Sequence, residues 1–211
     1  MDLQSTIRNN PILCIMRGLP AGKAAAYAKA VMDGGVHFFE VALNSADALT
    51  QIEILKRELG EKALIGAGTA VTVEKAKAAV AAGAQFLLSP SADEEVLAYC
   101  RKESIPLLPG VLSPSDVSLC QRYGFSVMKL FPAGDMPAGY IKSLKGPFQD
   151  TEYVAIGGVK PDNLADFLAQ GYLGVGLGSS MVPREWIMQE EWEQVTDAVK
   201  HMVAAAGKRI I

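Results

Sequence analysis

The 211-residue chain has only two histidines and three cysteines, and neither set falls into a ligand pattern. His37 and His201 lie far apart and form no HxxxH or HxH spacing, which disfavours a metal site. Cys14, Cys100 and Cys120 are odd in number and lack CxxC spacing, so buried free thiols and no disulfide are expected. There is no Lys/Arg-rich run and the formal net charge is −3, which leaves no electrostatic footprint for nucleic acid or an anionic membrane. Long apolar runs are missing too. The opening stretch "MDLQSTIRNNPILCIMRGLP" has an acid at position 2 and an apolar run of only five residues, which fits neither a secretory signal nor a membrane span. A cytoplasmic protein is expected. No low-complexity segment, Pro/Ser-rich linker or charge block marks a boundary, so a single domain over 1–211 is expected.

Half the residues are apolar and 20% are charged, ample material for a core. A punctuation recurs along the chain: an Ala-rich helical stretch, then glycine, then an apolar strand, as in "MDGGVHFFEVAL", "AAGAQFLLSP", "RYGFSVMKLFP" and "AQGYLGVGLG". Glycine takes the left-handed position that ends a helix, so each is a helix stop feeding a strand. This spacing predicts strands near 11–16, 36–43, 63–67, 85–89, 105–109, 125–131, 152–156 and 172–177. Helices are predicted near 20–33, 46–59, 72–82, 92–103, 114–123, 137–145 and 161–169. A last helix at about 189–206 carries Trp192, Val195, Val199 and Val203 on one face. Near-continuous apolar strands alternating with helices imply a parallel sheet covered on both sides. Eight of them point to an α/β fold of the (β/α)8 TIM-barrel type, with an open doubly wound sheet as the alternative.

In a barrel the C-terminal ends of the strands face the active-site mouth. Arg17, Glu40, Asn44, Thr69, Ser89 and Lys129 are the polar residues that pass this filter. The period of two on 125–131 puts Phe125, Val127, Lys129 and Phe131 on one face. An amine among apolar groups has its pKa lowered, as a nucleophile that forms a Schiff base requires. The bland alternatives are a snorkelling lysine or a structural ion pair with Glu40. Glu40 sits in "HFFEVAL" on a face with Phe38, Ala42 and Asn44. Burial there raises a carboxyl pKa towards the range in which it can shuttle protons near neutral pH. Separately, "AIGGVKPDN" and "GLGSS" offer Gly157, Gly158, Gly178 and Ser179 in the loops after the last two strands, where barrels commonly bind phosphate. Glycines in tight turns are the alternative reading of those loops.

The ordered set "VALNS" with Glu40, "LIGAGT", "SP", "LLPGVLSPSD", "KLFPAG", "GGV" and "GLGS" resembles the 2-keto-3-deoxy-6-phosphogluconate / 4-hydroxy-2-oxoglutarate aldolase family from about residue 7 to 182. The resemblance implies a (β/α)8 barrel, usually a homotrimer, and a metal-free, cofactor-free aldolase acting through a lysine Schiff base. It implies Lys129 as the Schiff-base residue, Glu40 as general acid/base and Thr69 as a support for the pyruvate carboxylate. Pro90 and Phe131 would line the pocket, while Gly157, Gly158, Gly178 and Ser179 would hold the substrate phosphate. The partners implied are a phosphorylated keto acid and pyruvate.

Two positions depart from the phosphogluconate pattern. Asn44 stands where those members resemble one another in having a carboxylate-binding arginine, and Ile156 where they have a threonine before Gly-Gly. Arg17 in "IMRGL", with "LNS" and an aliphatic residue before Gly-Gly, looks more like the 6-phosphogalactonate aldolases. An arginine clamps a carboxylate bidentately whereas asparagine offers a neutral dipole, so transfer of the clamp to Arg17 is chemically coherent. Loss of the threonine hydroxyl relaxes discrimination between sugar epimers. Three other readings stay open: a 4-hydroxy-2-oxoglutarate aldolase, a phosphate-binding isomerase or epimerase, and a non-catalytic sugar-phosphate binder.

Overall fold

The helix stops at Gly35, Gly83, Gly124 and Gly171 have φ of 103°, 103°, 79° and 95° in the computed structural model, which describes residues 2–207. Each lies in the left-handed region that favours glycine. The elements they separate run α1 (Leu3–Asn9), β1 (Ile12–Met16), α2 (Ala21–Asp33), β2 (Phe38–Ala42), α3 (Ala48–Leu59), β3 (Leu64–Gly68), α4 (Val73–Ala81), β4 (Leu87–Leu88) and α5 (Glu94–Lys102). After these come β5 (Leu107–Leu108), β6 (Gly110–Val111), α6 (Pro114–Arg122), β7 (Val127–Leu130), α7 (Tyr140–Lys145) and β8 (Glu152–Ile156). The chain continues through α8 (Leu164–Ala169), β9 (Gly174–Leu177), α9 (Arg184–Met188) and α10 (Trp192–Gly207).

All strand pairs are parallel, in the order β5-β4-β3-β2-β1-β9-β8-β7-β6. The two ends of this order, β5 and β6, are separated in sequence only by Pro109. They are one stave, which pairs with β4 before the proline and with β7 after it. Proline has no N–H to give the ladder, which explains the break. Its carbonyl still accepts the Lys129 N–H at 2.9 Å, and Leu108 O accepts the Ser89 N–H at 3.3 Å. The sheet thus closes into an eight-staved barrel, and the open doubly wound alternative is set aside.

Period-two alternation divides the core. Cys14, Met16, Phe39, Val41, Met128 and Leu130 face the surrounding helices. Leu13, Ile15, Phe38, Phe86, Leu88, Leu108, Val154 and Ile156 fill the barrel. The Phe38 and Phe86 rings stack with centroids 4.6 Å apart, and a Cβ at Gly66 would overlap Phe86. Large and small residues therefore interdigitate across the barrel axis. Burial of each large side chain contributes roughly 1.5–3 kcal/mol, which offsets the cost of holding charged groups at the mouth.

Four details differ from the sequence reading. Helix α1 was not anticipated. It is capped by Asp2, whose carboxylate accepts the N–H groups of Gln4 and Ser5, and it packs Leu3 and Ile7 into the inner cluster. The strand expected at 105–109 begins at Leu107 and continues past Pro109 to Val111. Phe125 precedes β7 and packs on the helix side rather than on the face shared with Lys129, because the alternation begins only at Val127. The last helix starts at Trp192 and buries Val195, Val199, Met202 and Ala206, with Trp192 and Val203 partly buried against the same cluster. Cys14, Cys100 and Cys120 are buried and unbridged. Among the described residues no helix is long and apolar enough to cross a membrane.

Candidate active site

Lys129 lies on β7 opposite Gly110 of β6 and Val154 of β8, with its side chain on the inner face and 5% of its surface exposed. Burial lowers its pKa, Arg17 lowers it further, and Glu40 opposes them. Its ammonium nitrogen lies 4.8 Å from the centroid of the Phe131 ring, two residues on. That contact holds the flexible stem in one place, and among the described residues no hydrogen-bond acceptor engages the nitrogen.

Glu40 sits mid-way along β2, opposite Ile15 and Gly66, with 1% exposure. A Cβ at Gly68 would overlap the Glu40 carboxyl, so glycine there is what gives the acid room. Glu40 Oε2 has no hydrogen-bond partner among the described residues. Burial raises its pKa, with Lys129 and Arg17 pulling the other way. The two groups therefore feel each other, yet no ion pair within 4 Å joins them among the described residues. A contact ion pair does not account for the lysine's position. Each group is pushed towards its neutral form, the state in which the amine is a nucleophile.

Arg17 follows β1 directly and is exposed at the mouth. Thr69 follows β3 with φ of 63°, an outlier for a β-branched residue and a place where strain is stored. Gly110 lies so close to Pro90 that a Cβ would overlap the Pro90 carbonyl, which seats Pro90 against the next stave. Ser89 is committed to structure: its hydroxyl donates to Ser91 O at 2.6 Å and accepts from Gly110 N at 3.4 Å. Asn44 lies beyond β2 and is exposed.

The two glycine loops also converge. Gly157 and Gly158 after β8 have φ of 88° and 79°. Gly157 O accepts from Gly134 N at 2.8 Å, and a Cβ on Gly157 would lie 3.1 Å from the Phe131 ring. Gly178 follows β9, with Ser179 exposed beside it. The Ser180 hydroxyl donates to Val159 O at 2.8 Å and so ties the second loop to the first. The sequence reading missed Ser180 as well as Ser45 and Arg184, which grip the Arg17 loop from opposite sides. Ser45 Oγ accepts the Gly18 N–H at 2.9 Å, and Arg184 Nη1 donates to Gly18 O at 3.1 Å. Runs such as "LNS" and "GLGSS" place hydroxyls near the mouth but do not reveal which one is a strap.

A buried amine, a buried acid and a cationic rim at the C-terminal end of a barrel make a site able to form and break an imine. A family model described as "KDPG and KHG aldolase" matches residues 3–198. The chain belongs to this aldolase family. A 2-dehydro-3-deoxy-phosphogluconate aldolase of Treponema pallidum (strain Nichols) is 35% identical, covering 87% of this chain and 88% of that one. A 2-dehydro-3-deoxy-6-phosphogalactonate aldolase of Escherichia coli (strain K12) is 31% identical, covering 90% and 93%. The structure of KDPG aldolase from Legionella pneumophila, with pyruvate captured at low pH as a covalent carbinolamine intermediate, is 30% identical with a TM-score of 0.88 and covers 96% of this chain and 98% of that one. The aldolase is thus similar to members named for both sugar-acid epimers.

Proposed function

We propose that this aldolase cleaves a 2-keto-3-deoxy-6-phosphoaldonate, of the phosphogluconate or phosphogalactonate type, to pyruvate and glyceraldehyde 3-phosphate through a Schiff base on Lys129. The observation that carries the reading is the placement of Lys129: inward-facing, buried, held by the Phe131 ring and without a contact ion pair among the described residues. The pyruvate carbinolamine in the Legionella relative supports covalent chemistry of this kind.

Neutral Lys129 Nζ attacks the C2 ketone to give a carbinolamine, which loses water to form a protonated imine. The Glu40 carboxylate, directly or through a water, takes the C4 hydroxyl proton. The C3–C4 bond then breaks, its electron pair flows into the iminium, and the aldehyde leaves. Glu40 returns its proton to C3 of the enamine, and water hydrolyses the resulting imine to pyruvate and free Lys129. The iminium is the electron sink. Arg17 takes the carboxylate, assisted by Thr69. Pro90 and Phe131 line the pocket, and Gly157, Gly158, Gly178 and Ser179 hold the phosphate. We also propose one barrel domain over 1–211, a cytoplasmic location and a homotrimer, on the family resemblance.

Arg17 at the mouth and aliphatic Ile156 before Gly-Gly favour the phosphogalactonate type within this reading. Incubation with pyruvate and sodium borohydride, followed by peptide mass spectrometry, tests the chemistry. A reduced pyruvate adduct confined to Lys129 is expected. Absence of an adduct under conditions that label a known lysine aldolase overturns the mechanism.

A further inference from the structure

Arg184, the first residue of α9, is exposed and follows β9 in the chain. It lines one small cleft with Ile15, Arg17, Leu19, Gly178 and Ser179, between the ends of β1 and β9. Two guanidinium groups thus share a cleft, and neither Arg17 nor Arg184 forms an ion pair within 4 Å among the described residues. Lys23 and Lys145, by contrast, each have an acid beside them, Glu190 and Glu152, both at 2.6 Å. In a chain of net charge −3, two unneutralised guanidiniums around Gly178 and Ser179 make a local positive site. Such a site suits a dianion better than it suits an arginine pair alone.

Arg184 is also held in place. Its Nη1 donates to Gly18 O at 3.1 Å, and Gly18 holds the turn at φ of 63°, in the left-handed region that favours glycine. One of five N–H donors is spent on that carbonyl, and the planar fork leaves others to turn towards a ligand. A residue that served only to prop the loop would need a donor and no charge.

We infer that Arg184 is a specificity-determining residue that contacts the phosphate of the substrate beside Gly178 and Ser179, a role that rests on the aldolase reading above. Backbone N–H groups and a serine supply neutral donors to a phosphate, while Arg184 adds the charge-assisted bonds that a phosphorylated substrate gains and an unphosphorylated one does not. Its tether to Gly18 places the phosphate contact on the loop that carries Arg17. Arg17, after β1, and Arg184, on α9, are thus linked through the Gly18 carbonyl.

The test compares wild type with Arg184→Ala and Arg184→Gln on a phosphorylated 2-keto-3-deoxy acid and on 4-hydroxy-2-oxoglutarate, which has no phosphate. Glutamine keeps a donor for Gly18 O and drops the charge. The expected result is a rise in KM of about tenfold or more for the phosphorylated substrate in both variants, while in Arg184→Gln, which keeps the tether, the unphosphorylated reaction changes by at most about twofold. Equal losses on both substrates would make Arg184 a prop for the Arg17 loop and overturn the inference, as would no change on either. Inorganic phosphate binding, followed by calorimetry, is expected to weaken in both variants and requires no turnover. If wild type forms no pyruvate adduct, the aldolase reading fails, whereas unchanged phosphate binding in the variants fails Arg184 alone.

Discussion

The carboxyl of Glu40 occupies the space that a side chain at residue 68 would fill: Gly68 is the pocket into which the acid of β2 leans. Gly68→Ala is therefore expected to displace the carboxyl by about the width of a methyl group. A misplacement of that size costs on the order of 10²-fold in rate. Steady-state kinetics with a melting curve checks this, since a folded protein with wild-type kcat would show that Glu40 needs no such pocket.

Glu40→Gln keeps the shape of the side chain and removes the base. The expected outcome is a fall in kcat of about 10²–10⁴-fold, with borohydride still trapping pyruvate on Lys129 after longer incubation. Full lyase activity in this variant would remove Glu40 from the proton-transfer role.

Burial gives Glu40 a folded-state pKa above its ordinary 4.5, and the sign of its effect on stability follows. Between 4.5 and the raised value the native state binds more protons than the unfolded chain, so stability falls as pH rises through that window. Glutamine carries no such penalty. Urea melts are thus expected to show Glu40→Gln gaining on wild type as pH increases above about 4.5, and a pH-independent difference would contradict the buried-acid account.

For Lys129 the direction reverses. Its folded pKa lies below 10.5, so the rate of pyruvate adduct formation is expected to rise with pH and level off before reaching 10.5. A rate still climbing at the ordinary lysine value, read by quenched mass spectrometry, would mean that burial does not tune the amine.

Arg17→Met removes a guanidinium from the proposed carboxylate-binding position, where a charge-assisted bond contributes about 1.5–3 kcal/mol, or roughly 10–100-fold. That loss is expected in kcat/KM, with inhibition by pyruvate weakened in step. Ile156→Thr, at 4% exposure inside the barrel, is expected to shift preference towards the phosphogluconate epimer at some cost in stability, because a hydroxyl replaces apolar contact. Competition between the two epimers measures the shift.

Much of this was legible in the sequence because it rests on short-range rules. Glycine stops mark the helix ends whatever surrounds them, and the alternation from Val127 carries Lys129 inward with no need of tertiary detail. Phe125 was misplaced because the same alternation was extended past the point where the strand begins. Helix α1 escaped notice because its apolar signal is just Leu3 and Ile7, one turn apart, and its burial depends on a barrel floor that no local pattern encodes. Ser180, Ser45 and Arg184 escaped for a related reason: each acts on backbone brought near by closure of the sheet, from 21, 27 and 166 residues away in sequence. The acid's pocket at Gly68 is a contact between adjacent strands, invisible until their register is fixed.

Leu3 and Ile7 pack into the inner cluster from the helix that precedes β1, at the end of the barrel away from the proposed site. On the proposed chemistry both products must leave by the way the substrate came. The aldehyde, with its phosphate at the rim, departs while the three-carbon fragment is still tethered to Lys129 deeper in. The order of release is then dictated by depth, and in the reverse direction an incoming aldehyde meets an enamine already in place. A different aldehyde of suitable size, offered at that moment, would be taken up as a new carbon skeleton.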